Sequence, residues 1–157
     1  MPTTLLRELS VANIRFVLVG GLAAVTQGAP ITTFDVDIVH ERSPENVARL
    51  VAFLNAQNAY YRGRPGDTST RADEAGLQGR GHHLFQTNLG PLDVLGAIEG
   101  GDDWDVLQSC SLDVPLGEFT VRVLSLRSIV ERKRASTHPK DKFVLPILEA
   151  LLKKTRG

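Results

Sequence analysis

Two aspartates, Asp35 and Asp37, sit in the run Thr33-Phe34-Asp35-Val36-Asp37-Ile38-Val39-His40. Side chains alternate along a strand, so both carboxylates leave the same face, about 6–7 Å apart at Cα. Hard oxygen ligands in that arrangement suit Mg2+. Two ions about 3.5–4 Å apart can hold the attacking and leaving oxygens of a phosphoryl displacement, which calls for a third carboxylate from another strand. Asp93 fits, because it stands among Leu92, Val94 and Leu95, where an unpaired charge would be costly unless it bound a metal or a partner. Its expected role is to ligate the second ion and take the proton of the attacking hydroxyl. Upstream, Gly20-Gly21 lets the backbone approach a triphosphate, with its amides at the positive end of the helix that follows. Taken singly, Asp-x-Asp is often mere surface and Gly-Gly mostly a turn. Their order, with 13 residues between Gly21 and Asp35, is more specific.

The flanking sequence supplies elements to hold these residues. Arg15–Val19 is a Val-rich run bounded by turn residues, hence a buried strand. Leu22–Gln27 then reads as a helix closed by Gly28, Ala29-Pro30 as a turn, and 33–40 as the second strand, with Phe34, Val36 and Ile38 on the face opposite the aspartates. A first helix is expected over 4–13, with Leu5, Leu6, Leu9 and Ala12 on one side. Ser43-Pro44 starts another, running to about Asn58. The segment 62–81 is rich in Gly, Pro and charge. Its arginines, Arg62, Arg64, Arg71 and Arg80, make it either a functional basic loop or a solvated insertion. Strands are expected at 82–89 and 92–98 around the Gly90-Pro91 turn, then a short helix from Trp104 and a hairpin over 112–124. Helices at 126–134 and 140–154 close the chain, the last carrying Pro146, which requires a kink or a later start.

At 157 residues, with 42% hydrophobic and 23% charged residues, the chain matches one soluble α/β domain spanning 1–157. A formal net charge of zero argues against long nucleic acid held mainly by electrostatics. Cys110 is the single cysteine, which suits a reducing cytosol. No secretory leader and no apolar stretch of about 20 residues is present, so the expected location is the cytoplasm. His82-His83 cannot easily share one metal, since strand neighbours face apart. Asp102-Asp103 reads as a solvated loop, and Trp104 as a core anchor.

The segment Val19-Gly20-Gly21-Leu22-Ala23-Ala24, Gly28 and Thr33-Phe34-Asp35-Val36-Asp37-Ile38 resembles the polymerase-beta-like nucleotidyltransferase superfamily, in particular the small bacterial branch with the AbiEii-type toxin nucleotidyltransferases. That pattern is a glycine pair opening a helix, then Thr-x-Asp-x-Asp. Later come an Asp on an apolar strand, here Leu92-Asp93-Val94-Leu95, and a C-terminal Lys-x-Ala…Lys-Asp, here Lys133-Arg134-Ala135 and Lys140-Asp141. The resemblance covers roughly residues 14–152. It implies a small mixed sheet flanked by helices and transfer of a nucleoside monophosphate from an NTP, ATP being the expected one, to a hydroxyl. It also implies two Mg2+ ions on Asp35, Asp37 and Asp93. Gly20, Gly21, Thr33 and Lys133 would lie at the nucleotide, a solvated helix lysine being the alternative for the last. The acceptor would be RNA, protein or a small molecule, and a cognate partner of the toxin–antitoxin type would fit. The chain departs from the pattern where Ile31 replaces an arginine, so one cation is missing unless Arg62, Arg64 or Arg80 supplies it. Two other functions use the same residues: a non-catalytic nucleotide-sensing or partner-binding subunit, and a Mg2+ phosphohydrolase.

Overall fold

Strand-forming apolar runs assemble into one mixed sheet in the computed structural model, which describes residues 2–156. Its strands are β1 (Phe16–Val19), β2 (Val36–His40), β3 (Tyr60–Tyr61), β4 (His82–Thr87), β5 (Gly90–Leu95), β6 (Ser111–Leu116) and β7 (Phe119–Leu124), in the order β3-β4-β5-β2-β1-β7-β6. Tight hairpins make β4–β5 and β6–β7 antiparallel, and β1 and β2 are antiparallel around an intervening helix. β2–β5 and β1–β7 are parallel. The helices are α1 (Pro2–Val11), α2 (Gly20–Thr26), α3 (Pro44–Ala56), α4 (Glu74–Leu77), α5 (Trp104–Gln108), α6 (Leu126–Ala135) and α7 (Pro139–Arg156).

Every residue of β1 is buried, as expected for a central strand covered on both faces. Leu5, Leu6 and Leu9 of α1, with Val47, Leu50 and Leu54 of α3, pack into the same core. Two polar side chains fix how the layers meet. Asn46, fully buried on α3, accepts from Arg15 N (2.7 Å) and donates to the carbonyls of Arg15 (2.9 Å) and Glu41 (2.7 Å). It thereby joins the start of β1 to the end of β2. Gln27 at the C-terminal end of α2 donates to Leu124 O (2.9 Å) and accepts from Leu126 N (2.9 Å), which sets α6 against α2.

Several expectations need correction. The second strand begins at Val36, not Thr33, and Phe34 is 78% exposed instead of joining the core face. The segment 62–81 is not a bare loop: it carries α4, whose Leu77 is fully buried and whose Leu77 carbonyl meets His40 Nε2 at 2.6 Å. Tyr60-Tyr61 forms a short edge strand that the sequence reading did not assign. Pro146 lies inside α7 on its exposed side, where the turn before it carries the interruption. No helix among the described residues is long and apolar enough to cross a membrane.

Candidate active site

β2 decides the geometry. Parallel pairing with β5 sets Asp37 in register with Asp93, and antiparallel pairing with β1 sets it opposite Val19. Residues in register on adjacent strands share a face, so the two carboxyl groups stand side by side. From Val19 the chain turns directly into α2 at Gly20, whose φ of +74° lies in the left-handed region, where glycine carries no steric penalty. A Cβ on Gly20 would collide with the Asp37 carboxylate. The missing side chain is therefore what lets that carboxylate lie against the backbone. One on Gly21 would lie 3.2 Å from Thr33 Oγ1, so Thr33 packs against the first turn of α2.

The electrostatics of the pair are strained. Burial, then a hydrogen bond with Asp93 and the charges of Asp93 and Asp35, push Asp37 up from 3.8 to about 7, with Arg62 pulling the other way. Two ionised carboxylates cannot donate to each other, so the hydrogen bond exists only when one carries a proton. When both are ionised, Asp37 Oδ1 is a buried oxygen without a partner. An orphaned anionic oxygen, on a carboxylate whose Oδ2 lies against a glycine backbone and which stands beside a second carboxylate, is a donor set suited to a hard divalent cation.

Asp35 stands apart from this pair. It precedes β2 and is exposed, acting on Asp37 through its charge. Among the described residues, no three His, Cys, Asp or Glu side chains are gathered as a ligand set. The side chains as placed thus bring two of the three expected carboxylates together.

Asp93 is ion-paired with Arg62, whose second donor reaches Phe85 O at 2.7 Å. The backbone explains the reach. Arg62 N donates to Leu84 O (3.0 Å), and Leu84 is in register with Asp93, so Arg62, Leu84, Asp93 and Asp37 form one row across the sheet. Ile31, where the resemblance places an arginine, is half-buried against the core. The charge beside the aspartates comes from the other edge of the sheet.

A cavity of about 660 Å3 opens from Gly20 and Asp37 toward α6 and α7, with Leu95 and Ile98 as apolar walls. Lys133 lines it, held to Asp141 at 3.0 Å. A hydrogen bond from Ser136 and the Lys133 charge keep Asp141 below the usual carboxylate range. Arg132 also lines it, paired with Asp102 at 2.6 Å. Asp102, read from sequence as a solvated loop residue, is therefore part of the wall, and neither it nor Arg132 carried any local signal. His82 and His83 do engage different groups, Ala97 O (2.9 Å) and the Tyr61 hydroxyl (2.7 Å). A second hollow of about 680 Å3 lies at the other end of β1, beside Phe16, with Arg15, Arg49 and Arg122 in its lining. It contains no carboxylate pair.

Comparison with solved structures identifies this architecture. The lincosamide antibiotic adenylyltransferase LnuA in its lincomycin-bound form superposes with a TM-score of 0.60 at 10% identity, covering 94% of each chain. The chain has the nucleotidyltransferase fold. The same fold is found in the antibiotic-resistance factor ANT(2'')-Ia, with a TM-score of 0.57, 14% identity, and coverage of 98% of this chain and 90% of that one. A Thermotoga maritima protein assigned to the nucleotidyltransferases gives a TM-score of 0.53 at 16% identity, covering 84% and 82%. No protein-family model and no curated protein sequence matches the chain. At these identities the nucleotidyltransferase likeness concerns the backbone, so what the site does must come from its residues.

Proposed function

We propose that the chain is a Mg2+-dependent nucleotidyltransferase that moves a nucleoside monophosphate from an NTP, ATP being the expected donor, to a hydroxyl acceptor. The observation that carries this is the unpartnered buried Oδ1 of Asp37, on a carboxylate whose Oδ2 lies against Gly20 and whose register partner is Asp93. Asp37, joined by Asp35 at the mouth of β2, would hold the first ion, and Asp37 and Asp93 together would hold the second, completing a two-ion site. Bound there, divalent ions supply charge neutralisation at the α-phosphate and at the leaving oxygen.

The cavity supports a metal-bound triphosphate over a bare one. Its lining has four carboxylates, Asp37, Glu99, Asp102 and Asp141, against the two cations Arg132 and Lys133, so an uncompensated polyanion would be repelled. Gly20 and Gly21 let the phosphates approach the start of α2. Thr33 orders that turn, and Lys133 faces the same space. The acceptor oxygen forms a bond to the α-phosphorus while the bond to the β-phosphate oxygen breaks and pyrophosphate leaves. The acceptor's proton passes to an Asp93 carboxylate oxygen.

Product analysis tests this. With Mg2+, an NTP and a pool of hydroxyl acceptors (RNA, protein and small molecules), the protein should release pyrophosphate, and Asp35→Ala or Asp37→Ala should stop it while leaving the fold intact. Orthophosphate or free NMP without a modified acceptor would indicate hydrolysis. Absence of Mg2+-dependent nucleotide binding by calorimetry refutes the proposal.

A second reading has one observation in its favour. As placed, Asp93 is neutralised by Arg62 and Asp35 is outside the pair, an arrangement compatible with nucleotide sensing or partner binding, as in one half of a toxin–antitoxin pair. Turnover with any NTP and acceptor eliminates it.

A further inference from the structure

Arg62 occupies the carboxylate that the proposed metal site needs. Among the described residues it is the only cation hydrogen-bonded to either member of the Asp37–Asp93 pair, and the ion pair is mostly shielded, with 26% and 15% of the two side chains exposed. We propose, on the reading of Asp37 and Asp93 as metal ligands, that Arg62 is a counter-cation which Asp93 exchanges for the divalent ion, so that loading the site and releasing the Arg62 guanidinium are one event.

Charge counting motivates the exchange. Two carboxylates and one guanidinium sum to a single negative charge, a partial compensation that still leaves Asp37 Oδ1 without a partner. Placing a divalent ion on both carboxylates makes the sum positive if Arg62 stays. Arg62 would then lose a lone pair of Asp93 to the metal and face a cation at close range, an unfavourable contact in a half-buried setting.

The chain gives Arg62 room to leave. Its backbone N–H can remain on Leu84 O while the guanidinium gives up both Asp93 and its Phe85 O contact (2.7 Å), and Gly63 follows with a φ of +83°. Ile31, packed against the core, brings no competing cation from the opposite side. The freed guanidinium would stand at the rim of the metal site, where the incoming substrates bring negative charge.

Mn2+ binding to the full chain without nucleotide provides the test, by calorimetry or by electron paramagnetic resonance of free Mn2+. Arg62→Gln removes the competitor and should tighten Mn2+ binding about tenfold, the scale of one charge-assisted hydrogen bond in a partly solvated site. Arg62→Lys keeps the charge and should stay within about threefold of wild type. In the wild-type protein, the guanidinium NMR signals of Arg62 should lose their restricted rotation when Mg2+ is added. Unchanged or weaker Mn2+ binding in Arg62→Gln, with wild-type binding intact and lost in Asp37→Asn, overturns the exchange but leaves the metal site standing. Equal Mn2+ binding by wild type and Asp37→Asn removes the metal from this pair and overturns both.

Discussion

Replacing Asp37 by asparagine should stabilise the metal-free protein. Asp37 is raised from 3.8 to about 7, so between those pH values the folded chain holds a proton that the unfolded chain has released. Stability therefore falls as pH rises through that window, the opposite of an ordinary salt-bridged carboxylate. A shift of about three units corresponds to about 4 kcal/mol at most. Asp37 is not fully enclosed and shares its proton with Asp93, so about 1–3 kcal/mol is the expected share above pH 7. Asparagine has nearly the same shape and can donate to Asp93 at every pH. The assay is thermal unfolding from pH 5 to pH 9 in chelator. The wild-type midpoint should fall with rising pH relative to Asp37→Asn, and at pH 8 the variant should melt about 3–10 °C higher. Saturating Mg2+ should reverse the order, because a ligand that binds the native state stabilises only the protein able to bind it. An Asp37→Asn variant that melts lower than wild type at pH 8 in chelator would refute the account of a strained carboxylate held for a cation.

Other perturbations follow from the same contacts. Gly20→Ala puts a methyl group into the Asp37 carboxylate at a φ of +74°. It should lower stability by about 1–3 kcal/mol in chemical denaturation and weaken Mn2+ binding, whereas Gly28→Ala, which meets ordinary contact with Leu151 at 3.6 Å, should leave Mn2+ binding unchanged. His40 is fully buried, and burial lowers its pKa below 6.5. The unfolded chain takes up that proton first as pH falls, so part of the stability is lost below about pH 6.5. His40→Gln, which can still donate to Leu77 O, should remove that part of the acid slope in a denaturation series from pH 7.5 to pH 5.

Much of the sheet could be read from local pattern, because its central strands are apolar runs with clear punctuation. Phe16–Val19, His82–Thr87 and Phe119–Leu124 emerge within a residue or two, and Ser43-Pro44 and Ser125 cap helices as their types suggest, accepting from Asn46 N (3.3 Å) and Ser128 N (3.1 Å). The failures lie where tertiary contact overrides periodicity. Alternation extended β2 back to Thr33, yet no strand in the register set by β1 and β5 pairs with 33–35; Phe34 is left exposed and Asp35 is detached from the strand. Leu77 looked like one apolar residue in a polar stretch, and only the carbonyl contact with His40 and its burial make α4 part of the core. Pairing order is a non-local property that no window of sequence contains.

The site divides along the same line. Asp37, Gly20 and Gly21 were legible because they are close in sequence: β1 runs into α2, and the next strand, after the irregular segment 27–35, returns beside β1. Asp93 was legible because a carboxylate in an apolar strand calls for a partner. That its register partner is Asp37 depends on a parallel pairing between segments 56 residues apart (93 − 37), which sequence pattern cannot fix. Arg62 is a further step removed. It reaches Asp93 across β4 from an edge strand of two residues, and nothing about an arginine beside Gly63 distinguishes it from Arg64, which instead lies over the Tyr61 ring at 4.6 Å. Gly63, at a φ of +83°, breaks the extended path between these two arginines, and strand alternation separates Arg62 from Tyr61. Tyr61 pairs with Phe85, whose side chain is buried with Leu92, whereas Arg62 aligns with Leu84 and Asp93 on the opposite face. A one-residue slip of β3 would place Tyr61 over the aspartates and remove the guanidinium from the site. The charge balance of the carboxylate pair therefore depends on the register of the smallest strand in the sheet.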